Sequence, residues 1–204
     1  MIRQPNNWNE VKEFTERKQL PLDAYVCKII NAEVQGNTYG EQLCIVFDIA
    51  EGAHTGFFKQ EFNASTFENK KYKGVLRLWL PKHDGSENDE ISKRVLKGMV
   101  TAVEKSNPGY KWSWEEKTLV GRYIGILFRN EEWDYQGKQG WAVRPFRAIS
   151  TESVRSGDYT LPKDKPLKKQ TADSYTDMGY GYSAAPAPAS DFALLDDEDA
   201  QLPF

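Results

Sequence analysis

The apolar residues change their spacing twice along this chain, and that change limits the folds open to it. From Ala24 to Leu80 they recur mainly at every second position, as in strands with one buried face. From Ile91 to Val103 the spacing becomes helical, through Val95, Leu96, Met99 and Ala102. From Leu119 to Ile149 the strand-like character returns.

The first run is Ala24 to Val34, followed by turn chemistry at Gln35-Gly36-Asn37. The second is Gln42 to Ala50, with Leu43, Ile45, Phe47 and Ile49 on one face, and Glu51-Gly52 as the next turn. Gly56 to Asn63 reads as a strand with Phe58 and Phe62 on one side, and Val75 to Leu80 points Leu76, Leu78 and Leu80 inward and Arg77 and Trp79 outward. Asn88 or Asp89 is placed to cap the helix, and Asn107-Pro108-Gly109 to end it. Leu119 to Phe128 and Trp141 to Ile149 close the series, with a hairpin loop between them at Asp134 to Lys138.

These are six strand-like runs for five places, with Gly56 to Asn63 and Val75 to Leu80 countable as one interrupted strand. Strands, one helix, then two strands is the order of an OB-fold. The expected class is therefore mainly β, a five-stranded Greek-key barrel with its helix between the third and fourth strands. Residues 1–20 form a lead-in, with a short helix from Asn9 to Arg17 capped by Asn9 and faced by Val11 and Phe14. The barrel takes 21–157. Residues 158–190, rich in Pro, Gly, Ser and Ala without apolar periodicity, read as a disordered linker, and 191–204 as a separate tip.

Composition narrows the function classes. Hydrophobic residues are 39% and charged residues 28%, no run approaches the ~18 apolar residues of a membrane span, and the start lacks a signal-peptide pattern. The expectation is a soluble cytoplasmic protein. Cys27 and Cys44 lie singly in apolar runs and read as buried free thiols, a cross-strand disulfide being the other option. His54 and His83 have no motif around them, and no phosphate loop, dinucleotide fingerprint or nucleophile elbow is present. A zinc set from Cys27, Cys44, His54 and His83 has no pair at ligand spacing. Asp48, Glu51 and Glu61 near Lys59 fit strand ends and turns better than a nuclease metal centre. No catalysis, cofactor or metal is expected.

The chain's charge is unevenly placed. Five acids (Asp191, Asp196, Asp197, Glu198, Asp199) and no bases lie from Asp191 onward; the rest carries 27 Lys and Arg against 25 Asp and Glu. The sequence ends DFALLDDEDAQLPF, four acids followed by Ala200-Gln201 and then Leu202-Pro203-Phe204. This resembles the C-terminal tip of bacterial single-stranded DNA-binding proteins, although there the acids run directly into the terminal residues. Over its whole length, on LPLDAYVCKIINAEV, LCIVFDIAEG and GFF, the chain looks like a divergent member of the kind carried by bacteriophages and mobile elements.

The resemblance implies a tip that works as a portable ligand. Phe204 would fill an apolar pocket, its carboxylate would meet a base, and Asp196, Asp197, Glu198 and Asp199 would steer the approach. The implied partners are replication, recombination and repair proteins.

In the body, aromatic residues interleave with cations, as stacking on bases beside phosphates requires. Arg77 and Trp79 share a strand face, with Lys71, Tyr72 and Lys73 just before it and Lys59 upstream. Trp112 and Trp114 are two apart and so face one way if extended. Trp133, Tyr135 and Lys138 flank the hairpin loop, and Arg122 and Arg144 lie on the last two strands.

The expected function is non-catalytic coating of single-stranded DNA. A strand-annealing recombination mediator and a carbohydrate-binding or adaptor module are the alternatives. A barrel of this size gains by pairing with other copies, so a homo-oligomer is one option for its assembly.

Overall fold

The computed structural model describes residues 3–10, 19–66, 69–135 and 137–167. Five strands form one antiparallel sheet in the order β3-β2-β1-β4-β5: β1 Ala24–Asn37, β2 Gly40–Ile49, β3 Val75–Trp79, β4 Tyr123–Tyr135 and β5 Lys138–Ile149. The edge strands β3 and β5 approach each other. Three helices, α1 Phe57–Ala64, α2 Glu87–Ser106 and α3 Thr151–Ser156, complete the unit. No helix among the described residues is long and apolar enough to cross a membrane.

The alternation seen in the sequence sets the core. Cys27, Ile29 and Ala32 of β1 are register partners of Ile49, Phe47 and Ile45 of β2, and Ile45 and Leu43 face Leu76 and Leu78 of β3. Ile124, Ile126 and Phe128 extend the same buried face along β4. An extra residue between Ile29 and Asn31 lets β1 bend, as a bulge does. Met99, Ala102 and Val103 of α2 pack into this core. Ile91 and Val95, expected on the same apolar stripe, are exposed, because α2 meets the sheet only through its later turns.

Several expectations need correction. Gly56 to Asn63 is not a strand: Phe57–Ala64 is helical. A Phe58–Phe62 spacing of four satisfies both periods, so the short run carries no discrimination of its own. The tertiary signal is Asp48, whose carboxylate accepts from the N–H of Phe58 (3.0 Å) and of Lys59 (3.1 Å) and so caps α1 across the chain. Phe58 then lies edge-on to Phe47 and stacks with Phe128. Gly74 permits this closeness, since a Cβ there would stand 2.4 Å from the Phe47 carbonyl oxygen and 2.9 Å from the Phe58 ring.

Gln35-Gly36-Asn37 stays within β1, and the chain reverses at Thr38-Tyr39, where Asn37 Oδ1 accepts from Tyr39 N–H (2.9 Å). The cap of α2 is Ser86, whose hydroxyl accepts from Asp89 N–H. Asp89 itself is buried, ties down the preceding loop through the N–H groups of His83 and Gly85, and pairs with Lys93 one turn further along α2. Before β4, Glu116–Leu119 is a 3-10 turn, and α3 was not anticipated. Of the lead-in, Trp8–Glu10 is a 3-10 turn, and the rest of the expected helix falls outside the described residues.

Residues 158–167, placed in the linker by composition, make specific contacts. Tyr159 donates to Asp23 Oδ1. Lys165 runs parallel to β4, donating to the Asn130 carbonyl (2.9 Å) and accepting from Glu132 N–H (3.0 Å). It occupies the side of β4 that β1 leaves beyond Ala24, whose register partner is Leu127. The remainder of the linker and the acidic tip lie outside the described residues.

Candidate nucleic-acid interface

The residues singled out from the sequence separate into three groups. The first is on the outer face of β2 and β3. Register pairs Gln42 with Trp79 and Cys44 with Arg77, on the face opposite Leu43 and Ile45, where Gln42 and Cys44 are themselves buried. Arg77 and Trp79 are half-buried. The Cys44 thiol donates to Gln35 Oε1 (3.1 Å), and burial raises its pKa more than the nearby Arg77 lowers it.

Two residues that sequence reasoning missed belong to this group. Lys82 is exposed just past β3, and a Cβ built on Gly40 would lie 3.0 Å from Lys82 Cε and 3.7 Å from Trp79 Cζ3. The glycine thus leaves room for an indole and an ammonium side by side at the start of β2. Gln42 is 4% exposed, and its Nε2 has no hydrogen-bond partner among the described residues. A buried donor left unpaired costs about 1–3 kcal/mol. Both residues follow from register: Lys82 trails Trp79 by three positions, but Gln42 is reached only through β2–β3 pairing.

The second group is the β4–β5 hairpin. Arg129 faces Arg144, Trp133 faces Gly140, and Tyr135 faces Lys138. These pairs share one side of the ribbon by the alternation of strand residues. The expected loop is shorter than Asp134 to Lys138, since strand pairing continues to Tyr135 and Lys138 and Gly137 holds a positive φ of 76°. Arg129 pairs with Glu131 and lies 4.1 Å over the Phe146 ring, while Arg144 and Lys138 are exposed.

The third group is the connection from α2 to β4. Trp112 and Trp114 have ring centroids 4.9 Å apart, and Trp114 is 72% exposed on a backbone with φ of 67°. A non-glycine residue rarely adopts that conformation. The surrounding anchors are Glu104, which accepts from Trp112 N–H and pairs with Lys111, and Glu115, whose carbonyl accepts from Trp112 Nε1. Those bonds hold the Glu104 carboxyl below its usual range, the Lys111 bond contributing most. Arg122 lies 4.3 Å over the Tyr110 ring.

Not every expected residue faces outward. Tyr72 is 5% exposed, its hydroxyl donates to the Phe47 carbonyl (3.2 Å), and its ring meets Phe58 and Phe62. It offers no ring face to a base and is a core residue, because the segment before β3 closes over α1. Lys73 is paired with Glu61 at 2.6 Å, Lys71 is half-buried, and Lys59 is exposed on α1. The carboxylates weighed as a metal centre are dispersed: Asp48 caps α1, Glu61 binds Lys73 and Glu51 binds Arg155. Among the described residues no three His, Cys, Asp or Glu side chains are placed to share a metal ion. The two cysteines are free thiols.

No protein-family model matches the chain, and a search of curated proteins finds no match either.

Proposed function

We propose that this chain binds single-stranded DNA without catalysis, along the outer face of β2 and β3. The observation that carries the reading is the pairing of Trp79 and Lys82 beside Gly40, with Arg77 two positions before Trp79 on the same side of β3. An indole offers stacking worth about 1–3 kcal/mol per base, and a neighbouring ammonium answers the phosphate. The strand order supports an OB-type barrel, in which β1 joins β2 and β4, β3 and β5 approach, and α2 lies between β3 and β4. In such barrels the face of strands 2 and 3 and the loops L12 and L45 bind oligonucleotides. Here L45 is the β4–β5 hairpin, carrying Trp133, Tyr135, Lys138 and Arg144.

The tip ending Leu202-Pro203-Phe204 then recruits proteins of replication, recombination or repair. The last described residue, Leu167, donates from its N–H to Glu132 on β4, within this hairpin. A single-strand binder inside a bacterial cell, with a bacteriophage or mobile-element origin, is the setting this reading gives.

The test is competition. A labelled oligothymidine should be displaced by unlabelled single strands, hardly displaced by duplex of equal length, and unaffected by neutral polysaccharide. Displacement by polysaccharide alone would favour the carbohydrate-stacking alternative, to which the exposed Trp114 lends its one specific support.

A further inference from the structure

Trp114, in the connection from α2 to β4, is the most exposed large hydrophobic residue among the described ones. Its ring rests on that of Trp112, with centroids 4.9 Å apart. Trp112 in turn packs against the core and donates from Nε1 to the Glu115 carbonyl (3.0 Å), so the supporting indole is fixed. The Trp114 backbone sits at a φ of 67°, a conformation that costs stability for a side chain of this size. An indole held out in water on a strained backbone, and backed by a second indole, is a platform for a flat ring.

Cations stand beside the platform. A cleft of about 380 Å³ is lined by Tyr110, by the exposed Lys105 and Lys111, and by Glu104, which pairs with Lys111 and accepts from Trp112 N–H. The exposed Arg122 is held over the Tyr110 ring at 4.3 Å. A stacking surface beside cations suits an unpaired nucleotide.

This site is remote from the β2–β3 face. Trp79 is level with Gln35 of β1, since Gln42 pairs with both, whereas the connection enters β4 at Tyr123, opposite Lys28. The length of β1 from Lys28 to Gln35 is roughly 23 Å at the rise of a strand.

We propose that the Trp112–Trp114 pair and its flanking cations form a second station for single-stranded DNA, engaged by the same strand that stacks on Trp79. The proposal rests on the single-strand reading above and extends it. Once one station holds a strand, the other meets it at an effective concentration set by the intervening nucleotides, so the two together bind more tightly than either alone. A strand too short to span them gains nothing from the second.

The experiment measures anisotropy with oligothymidines of increasing length on the full chain, on Trp114→Gly and on Trp114→Tyr. Glycine accepts a positive φ freely, so its variant removes the indole while easing the backbone. Wild-type affinity should rise about tenfold or more once a strand spans both stations. On such strands Trp114→Gly should lose about five- to 100-fold, the size of one base stack, and it should lose little on strands too short to span. Trp114→Tyr, which keeps a ring, should retain most of the long-strand affinity.

Unchanged long-strand affinity in Trp114→Gly overturns the proposal and leaves the β2–β3 reading in place. Equal losses on short and long strands also overturn it, because they make Trp114 part of a single site. Binding of no strand by the wild type overturns the single-strand reading and this inference with it.

Discussion

Trp133 lies across Gly140, its register partner on the facing strand, so closely that a Cβ at position 140 would stand 2.8 Å from Trp133 Cζ2. The glycine is therefore a seat for the indole, and the hairpin presents Trp133 in a fixed orientation. Gly140→Ala should unseat the ring, at about 1–3 kcal/mol of overpacking cost if the hairpin resists. Near-ultraviolet circular dichroism should lose part of its indole signal while the far-ultraviolet spectrum persists. An unchanged indole signal would mean that the ring is not held there.

Under the proposed reading Trp79 is a binding aromatic, whereas Tyr72 is a core one. Trp79→Ala should weaken oligothymidine binding by about 1–3 kcal/mol with little effect on melting. Tyr72→Phe removes the hydroxyl bonded to the Phe47 carbonyl. It should cost about 1 kcal/mol of stability and leave DNA affinity as it was. Urea unfolding and anisotropy titration on the same two variants check both halves, and a reversed pattern would exchange the roles assigned here.

The tyrosines also set an alkaline limit. Burial, with Asp23 nearby, pushes Tyr25 up to about 12, and burial, with Asp48 nearby, pushes Tyr72 well above its ordinary value. Below about pH 10 both folded and unfolded chains hold these protons, so the tyrosines add no pH dependence. As pH rises past that point the unfolded chain releases protons that the folded one keeps, and stability falls. The share due to Tyr25 should level off as it ionises near 12, while that due to Tyr72 continues. Tyr72→Phe should make the decline shallower, which urea midpoints between pH 9 and 11.5 will show.

Asp48 holds α1 from another element, so Asp48→Ala should cost about 1–2 kcal/mol. Amide exchange should speed at Phe58 and Lys59 more than in α2, whose own cap is Ser86. Equal exchange at all these sites would deny the capping role.

The acidic tip predicts a salt-dependent effect of its own. Asp196 to Asp199 carry charge of the same sign as phosphate, and can compete with a strand for Lys82 and its neighbours. Removing Asp191 to Phe204 should therefore raise oligonucleotide affinity at low salt and matter little at high salt. No change at low salt would show that the tip does not contend for the face.

Much of the sheet was legible because buried alternation is a local signal. Leu43, Ile45, Phe47 and Ile49 are all core residues, and Arg77 and Trp79 point outward as the run Val75 to Leu80 suggests. What stayed hidden depends on partners distant in sequence. Helix α1 owes its start to Asp48, and Tyr72 owes its burial to Phe58 and Phe62, neither visible from a window of a few residues. The placement of 158–167 was hidden too, because composition cannot say that Lys165 will find the vacant side of β4. For the candidate interface, Trp79 and Arg77 were legible as an alternating pair, whereas Gln42 and Gly40 join them only once β2 is laid beside β3.

The most direct test of the central claim is intrinsic tryptophan fluorescence of the full chain titrated with unlabelled oligothymidine at low and high salt, beside Trp79→Phe. The account predicts strong quenching, affinity that falls steeply with salt as phosphate contacts are screened, and a smaller quench in the variant. Absence of quenching at low salt, with no salt-dependent binding by anisotropy, would contradict it.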